Sequence, residues 1–341
     1  MSVRKLDEHV SWRRGDMLDA STWTVTLSDE DQRELHAALQ QAKSASTDVL
    51  ALGVEDFPLS GLKEKLQAID HELLHGRGFV RLSALDGDQY SDEDLTLLYW
   101  GIGLHLGDPW PQNKYGHVLG DVINQGKSIH DPTARGNELG SIALDFHTDG
   151  SDYVGLMCLH EAEQGGLSLV ANAVGIHNEM VEQRPDLAEA LYDPLPWDFR
   201  GEEAPGGLPF YMRAPFTEHD GRFFLFCVPQ YIRASQRHAS APRLTELQLE
   251  ALTMMENLAR REDMHVAMPL RRGEMQFIYN YHVFHGRTEY RDPQAPAPRR
   301  HLKRLWLSSR SLTHRPDHFA LKAAPHWLQN RSASRMEMDA G

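Results

Sequence analysis

The chain has 341 residues, with 35 Lys and Arg against 49 Asp and Glu and a formal net charge of −14. That acidity argues against nucleic acid or an anionic membrane as partner, because the long-range field would repel both. Its two cysteines, Cys158 and Cys227, are too few for a disulfide framework or a cysteine-based zinc site.

A hydrophobic fraction of 41% and a charged fraction of 25% describe a globular chain long enough to bury a core. The opening residues lack the apolar centre of a signal peptide, and no apolar run reaches spanning length. A soluble cytoplasmic protein is expected, and the sequence is compatible with a homo-oligomer.

Residues 1–60 are expected to form an accessory helical segment, with Ser28-Asp29-Glu30 capping a helix that runs through Leu35 and Leu39. A main domain over 61–310 opens with Leu62, Leu66, Ile69 and Leu73 on one helix face, ended by Gly76-Arg77-Gly78. Phe79-Val80-Arg81-Leu82 is the first core strand, and a helix follows from Asp92 to about Ile102. Further strands are expected over Val118–Ile123, Tyr153–Leu159, Ser168–Ala171, Phe223–Val228, Met275–Tyr281 and Leu302–Leu307. Helices intervene at roughly Ile176–Leu191 and Thr245–Arg260, and 311–341 is a polar tail. There is no internal repeat and no alternation of parallel strand and helix. The pattern predicts a mainly β fold, a sandwich or double-stranded β-helix with helical buttresses.

With 19 histidines in the chain, spacing has to sort the chemistry. In Asp145-Phe146-His147-Thr148-Asp149-Gly150 the chain is extended, so His147 and Asp149 face one cavity while Thr148 faces away. An imidazole and a carboxylate presented together are two thirds of the facial triad that holds non-haem Fe(II). The third ligand must come from Asn280-Tyr281-His282-Val283-Phe284-His285-Gly286-Arg287, where His285 is favoured over His282. Past it, Arg299-Arg300-His301-Leu302-Lys303-Arg304-Leu305-Trp306-Leu307 puts guanidinium groups on a buried strand, a costly position unless they meet an anion.

Two decoys have structural readings. His177 and Glu179 sit at the start of a helix, where residues two apart do not face each other. His71-Glu72-Leu73-Leu74-His75 has the spacing of a zinc metallopeptidase, with Glu93 as a conceivable third ligand. Its histidines, however, point away from the inferred core, and Gly76 breaks the helix straight after His75. The Gly101–Gly107 run has the wrong spacing for a dinucleotide loop and does not follow a strand.

Over roughly residues 75–310 these motifs, in this order, resemble the TauD/TfdA-like Fe(II)- and 2-oxoglutarate-dependent dioxygenases. The match comprises His-x-Asp before a strand, Gly165-Gly166-Leu167-Ser168, Asn280-x-x-x-x-His285-Gly286-Arg287 and Arg300-x-x-x-Arg304. The resemblance implies a distorted, clavaminate synthase-like jelly roll of two facing sheets. It also implies Fe(II) on His147, Asp149 and His285, with O2 and 2-oxoglutarate as cosubstrates. Arg300 would pair with the far carboxylate of 2-oxoglutarate. Ser168 keeps the hydroxyl where the family often has Thr. Arg304 matches a position that in some members contacts an anionic substrate. A small-molecule substrate is expected, with Asn124 and, beyond it, His130 and Arg135 as contacts on a covering loop over 124–141.

Overall fold

A computed structural model describes residues 3–6, 8–113, 116–127 and 140–316. His130, Arg135, most of the expected covering loop and most of the expected tail therefore lie outside the described residues. No helix among the described residues is long and apolar enough to cross a membrane.

After three short 3-10 turns, Glu8–Val10, Arg14–Met17 and Ala20–Thr22, come β1 (Thr24–Thr26) and α1 (Asp29–Ala45). A reciprocal cap begins that helix: Ser28 Oγ accepts from the Asp31 amide, and Asp31 accepts from the Ser28 amide. Leu66, Ile69 and Leu73 form the buried face of α2 (Lys63–His75), which ends at Gly76 before β2 (Phe79–Ser83). Ser91 caps α3 (Asp92–Leu106), which continues past the expected Ile102. Its Gly103 explains the glycine run, since a Cβ there would lie 2.2 Å from Leu305 Cδ2. The glycine lets the helix backbone rest directly on a core strand.

Strands then dominate: β3 (Asp108–Pro109), β4 (Leu119–Ile123), β5 (Leu144–His147), β6 (Tyr153–His160), β7 (Gln164–Gly165) and β8 (Ser168–Asn172). The single helix expected over 176–191 is two, α4 (Ala173–Gln183) and α5 (Pro185–Ala190). Pro185 forces the break, because the residue before a proline avoids the helical region and Arg184 sits at φ −148, ψ 76. Two short hairpins follow, β9 (Leu195–Asp198) with β10 (Phe210–Arg213) and β11 (Phe216–His219) with β12 (Arg222–Leu225). After α6 (Pro229–Ala234) and α7 (Glu246–Arg260) come β13 (His265–Met268), β14 (Met275–Tyr279), β15 (Val283–Arg287), β16 (Tyr290–Arg291) and β17 (His301–Ser308).

The strands pair into two principal sheets. One runs β1-β2-β14-β6-β17-β3 with β4 also on β17, and the other runs β13-β8-β15-β5. Side-chain alternation along each strand shows how the sheets face each other. Phe79, Val154, Ile278 and Trp306 from the larger sheet cluster with Val170, Val266, Met268 and Val283 from the smaller one. The intervening residues of the larger sheet, among them Tyr153, Met157, Phe277, Leu305 and Leu307, cluster instead with helix residues such as Leu66, Ile69, Leu98 and Tyr99. This is a double-stranded β-helix with helices buttressing its flanks. The strand expected to reach Tyr281 stops at Tyr279, because a turn over 280–282 carries the chain from β14 in one sheet to β15 in the other.

Candidate metal centre

The cross-strand register brings the candidate ligands together. His147 on β5 pairs directly with His285 on β15, and their rings approach to 4.3 Å between centroids. Asp149 lies just past the end of β5, with Oδ1 4.0 Å from His147 Nε2 and Oδ2 3.7 Å from His285 Nε2. One donor atom from each of the three residues lies within 4.8 Å of the others, the one such group found among the described residues. The donor set suits a divalent ion of the iron type, two imidazole nitrogens and one carboxylate. The His147 tautomer fits as well. Its Nδ1 is 2.9 Å from the Asp145 carbonyl, which can only accept, so Nδ1 carries the proton and Nε2 presents a lone pair.

Charge is balanced around this point. Burial pushes the Asp149 carboxyl up, but Arg304, His285, His147 and the Trp306 indole together outweigh it and hold the group below the usual carboxylate range. Trp306 Nε1 donates to Asp149 Oδ2 at 3.1 Å, and Arg304 Nη1 lies 3.7 Å from the same oxygen. Burial, then the neighbouring His147, lowers His285 to about 3. His285 is therefore neutral at physiological pH, the form a metal requires.

The competitor His282 sits in the turn before β15, not on the strand. It is buried, with Nε2 3.1 Å from the Phe223 carbonyl, and burial lowers it to about 4. Thr148 faces away from the metal position, as alternation requires. Its amide and hydroxyl exchange hydrogen bonds with the Cys227 backbone.

One step along the same inner face lies a cationic wall. Ser168 on β8 pairs with Arg287, just as Val170 pairs with His285, so Ser168, Arg287 and His285 share a face. Arg300, immediately before β17, is buried, stacks over Tyr290 at 5.0 Å and donates through Nη2 to the Gly166 carbonyl at 3.2 Å. Its Nη1 has no hydrogen-bond partner among the described residues. Burial and the nearby Arg287 lower Arg300 to about 10. A buried guanidinium with an unused donor, pressed against a second cation, fits a carboxylate-bearing cosubstrate. Gly166 makes the room: it sits at φ +69, and a Cβ there would lie 2.7 Å from Arg300 Nε. Gly166 thus serves the arginine, while Gly165 lets the chain lie against the Glu289 carbonyl, 2.2 Å from where its Cβ would be.

Arg304 faces the cavity between the sheets beside Asp149, with Nε donating to Gln112 Oε1 at 2.7 Å. Asn124 follows β4, where Ile123 pairs with His301, at the Arg300 end of the cavity. Its own Oδ1 accepts from the Gly126 amide at 2.8 Å, and its carbonyl accepts from Arg299 Nη1 at 2.8 Å.

The metallopeptidase alternative fails on geometry. His71 and His75 are exposed, and Glu72, which would have to act as general base, accepts from the Arg77 amide and guanidinium at 2.9 and 2.6 Å. No third ligand joins them among the described residues. The other decoy is structural: His177 is buried against the Tyr192 hydroxyl at 2.9 Å, and Glu179 pairs with Arg13 and Arg261. Trp306, Arg287 and Gln112 were not foreseen. The first two were within reach, because Trp306 lies two residues from Arg304 and Arg287 two from His285, on the same strand faces.

Comparison with known proteins agrees with this geometry. Residues 31–306 match the family described as taurine catabolism dioxygenase TauD, TfdA family. The FR-33289 synthase of Streptomyces rubellomurinus is 30% identical over 304 residues, covering 87% of this chain and 88% of that protein. Among solved structures, an asparagine oxygenase complex with Fe(II), 3-hydroxyasparagine and succinate is 21% identical, with a TM-score of 0.62, covering 86% of this chain and 97% of that one. The non-haem iron oxygenase OrfP with Fe and α-ketoglutaric acid is 16% identical, with a TM-score of 0.61, covering 84% and 94%. The chain belongs to the TauD, TfdA family and is a 2-oxoglutarate-dependent dioxygenase.

Proposed function

We propose that this TauD, TfdA-family enzyme oxidises a small anionic molecule, with His147, Asp149 and His285 holding Fe(II) and Arg300 and Ser168 holding the far carboxylate of 2-oxoglutarate. The observation that carries the reading is the convergence of two imidazole nitrogens and one carboxylate within 4.8 Å. When bound, the ferrous ion couples O2 to oxidative decarboxylation of 2-oxoglutarate, giving succinate, CO2 and an oxidised substrate C–H bond. The chain's own residues supply binding and orientation. The Asp145 carbonyl fixes the His147 ring, and the Trp306 indole fixes the Asp149 carboxylate. Arg300 offers its unused donor to the incoming carboxylate, and its planar fork selects a 2-oxo acid with a second acid group over one without.

Arg304 supports the anionic substrate. Its Nη1 lies 3.7 Å from Asp149 Oδ2, so the two charges offset each other. With a dication held by Asp149, Arg304 would share that carboxylate's charge and would pair with a further anion. Gln112 holds the guanidinium facing the cavity while this exchange occurs. We assign Asn124, which follows β4 at the Arg300 end of the cavity, to a polar part of the substrate.

The test is succinate release from the iron-loaded protein in air, across a panel of small carboxylates, sulfonates and amino acids paired with neutral amide or ester counterparts. Anionic members are expected to turn over, and the neutral counterpart of any hit to lose at least about tenfold in kcat/KM, the value of one hydrogen bond to a charged group. Arg304→Ala is expected to erase most of that preference. A neutral panel member turning over as well as its acid would remove the anionic assignment.

A further inference from the structure

β5 ends at His147, so Asp149 has left the ladder, and among the described residues no strand pairs with its backbone. A side chain takes that role. The Asp149 amide donates to Asn280 Oδ1 at 2.7 Å, and Asn280 Nδ2 donates to the Asp149 carbonyl at 2.7 Å. This reciprocal exchange has the pattern of one residue pair in an antiparallel ladder, with a side-chain amide in place of the second strand. Asn280 is fully buried. Its own amide donates to the Asp152 carbonyl at 2.9 Å, so it grips both ends of the loop 149–152.

Asn280 also stands where the chain changes sheets. It opens the turn between β14 and β15, five residues before His285, so one residue is tied covalently to one ligand and by hydrogen bonds to another. The loop is braced from the far side. The Asp152 carboxylate accepts from Arg315 Nε at 3.0 Å, the Ser309 amide at 2.8 Å and the Tyr281 hydroxyl at 3.2 Å.

We propose that Asn280 is a positioning residue for the metal centre: by clamping both polar groups of the Asp149 backbone, it fixes the direction of the Asp149 carboxylate relative to His285. The proposal rests on the assignment of the metal to His147, Asp149 and His285. Among the coded side chains only Asn and Gln carry a primary amide, whose donor and acceptor sit side by side on one carbon as this exchange requires, and Gln is a methylene too long for this fully buried corner. Asp retains the acceptor but cannot donate to the Asp149 carbonyl.

The experiment substitutes Co(II) for iron and reads affinity and the visible ligand-field bands, with thermal melting as a separate measure of folding. Asn280→Ala is expected to weaken Co(II) binding by about 10–100-fold, the range for outer partners of metal ligands, and to shift the bands. Tyr153→Phe is the structural control. It removes hydroxyl contacts with Asp70 at 2.7 Å and Ser309 at 3.0 Å on the strand after Asp149. It is expected to lower the melting temperature and leave the Co(II) spectrum unchanged. Should Asn280→Ala not fold, Asn280→Asp carries the test, with the same weakened binding and shifted bands expected. A folded variant with wild-type affinity and spectrum would overturn the proposal. So would failure of both variants to fold, which would make Asn280 a folding residue. Absence of saturable Co(II) binding in the wild type, or undiminished Co(II) affinity in His147→Ala, would instead refute the metal assignment itself.

Discussion

Asp149→Ala is expected to abolish succinate formation and to lose more metal affinity than any other single substitution in the site. Two neutral imidazoles and one carboxylate hold the ion, so Asp149 supplies the only negative charge among them. Its removal also strands Arg304, whose Nη1 lies 3.7 Å from the carboxylate, as an unbalanced cation facing a dication. Ligand loss and charge repulsion act in the same direction. The fall in metal affinity should therefore exceed the roughly 10–100-fold seen for outer partners of metal ligands. His147→Ala removes a neutral donor and leaves the charge balance intact, so it should weaken binding by less while still stopping turnover. Metal content after gel filtration and succinate released under air give the two readouts. An Asp149→Ala protein that holds iron as tightly as His147→Ala would contradict the charge argument.

The second large effect belongs to Arg300. Its Nη1 is buried and unused, and burial, then the nearby Arg287 charge, lowers its pKa to about 10. A dicarboxylate that meets this group gains a charge-assisted bond and relieves the repulsion between two guanidinium groups. Truncating one partner of such a buried pair costs about 2–5 kcal/mol, which is roughly 30-fold to several thousandfold in an equilibrium constant. Arg300→Ala is therefore expected to raise the KM for 2-oxoglutarate over that range, with a smaller effect on kcat once the cosubstrate saturates. Arg300→Lys should recover part of the loss, because it keeps the charge and loses the fork. A KM within the wild-type range for Arg300→Ala would assign the carboxylate to Arg287 instead.

Much of this site was legible in the sequence because its signals are short and local. His147 and Asp149 are two residues apart on an extended segment, and alternation alone puts them on one face. The preference for His285 over His282 has a reason that only the fold supplies. The chain turns between the sheets at 280–282 and removes His282 from the strand altogether.

What escaped the sequence depends on contacts between distant segments. The break at Pro185 was visible as a residue, yet the apolar pattern runs through it and suggests one helix. The strands β5 and β13 are four residues each, too short for alternation to stand out, and they are edge strands that pair, among the described residues, only with β15 and β8, from distant parts of the chain. The grip of Asn280 on Asp149 joins positions 131 residues apart. The fit of Arg300 against Gly166 spans 134 residues. No local pattern encodes either contact, though each explains why a motif contains the residue it does.

The central claim is that His147, Asp149 and His285 bind one ferrous ion with room for a chelating 2-oxo acid. An anaerobic titration tests it most directly, adding Fe(II) and then 2-oxoglutarate while following the visible charge-transfer absorption that a 2-oxo acid gives when it chelates ferrous iron. The account predicts a band that saturates at one equivalent per chain, disappears in Asp149→Ala, needs more 2-oxoglutarate in Arg300→Ala and is unchanged in His71→Ala. A wild-type protein without the band, or an Asp149→Ala protein that keeps it undiminished, would contradict the account.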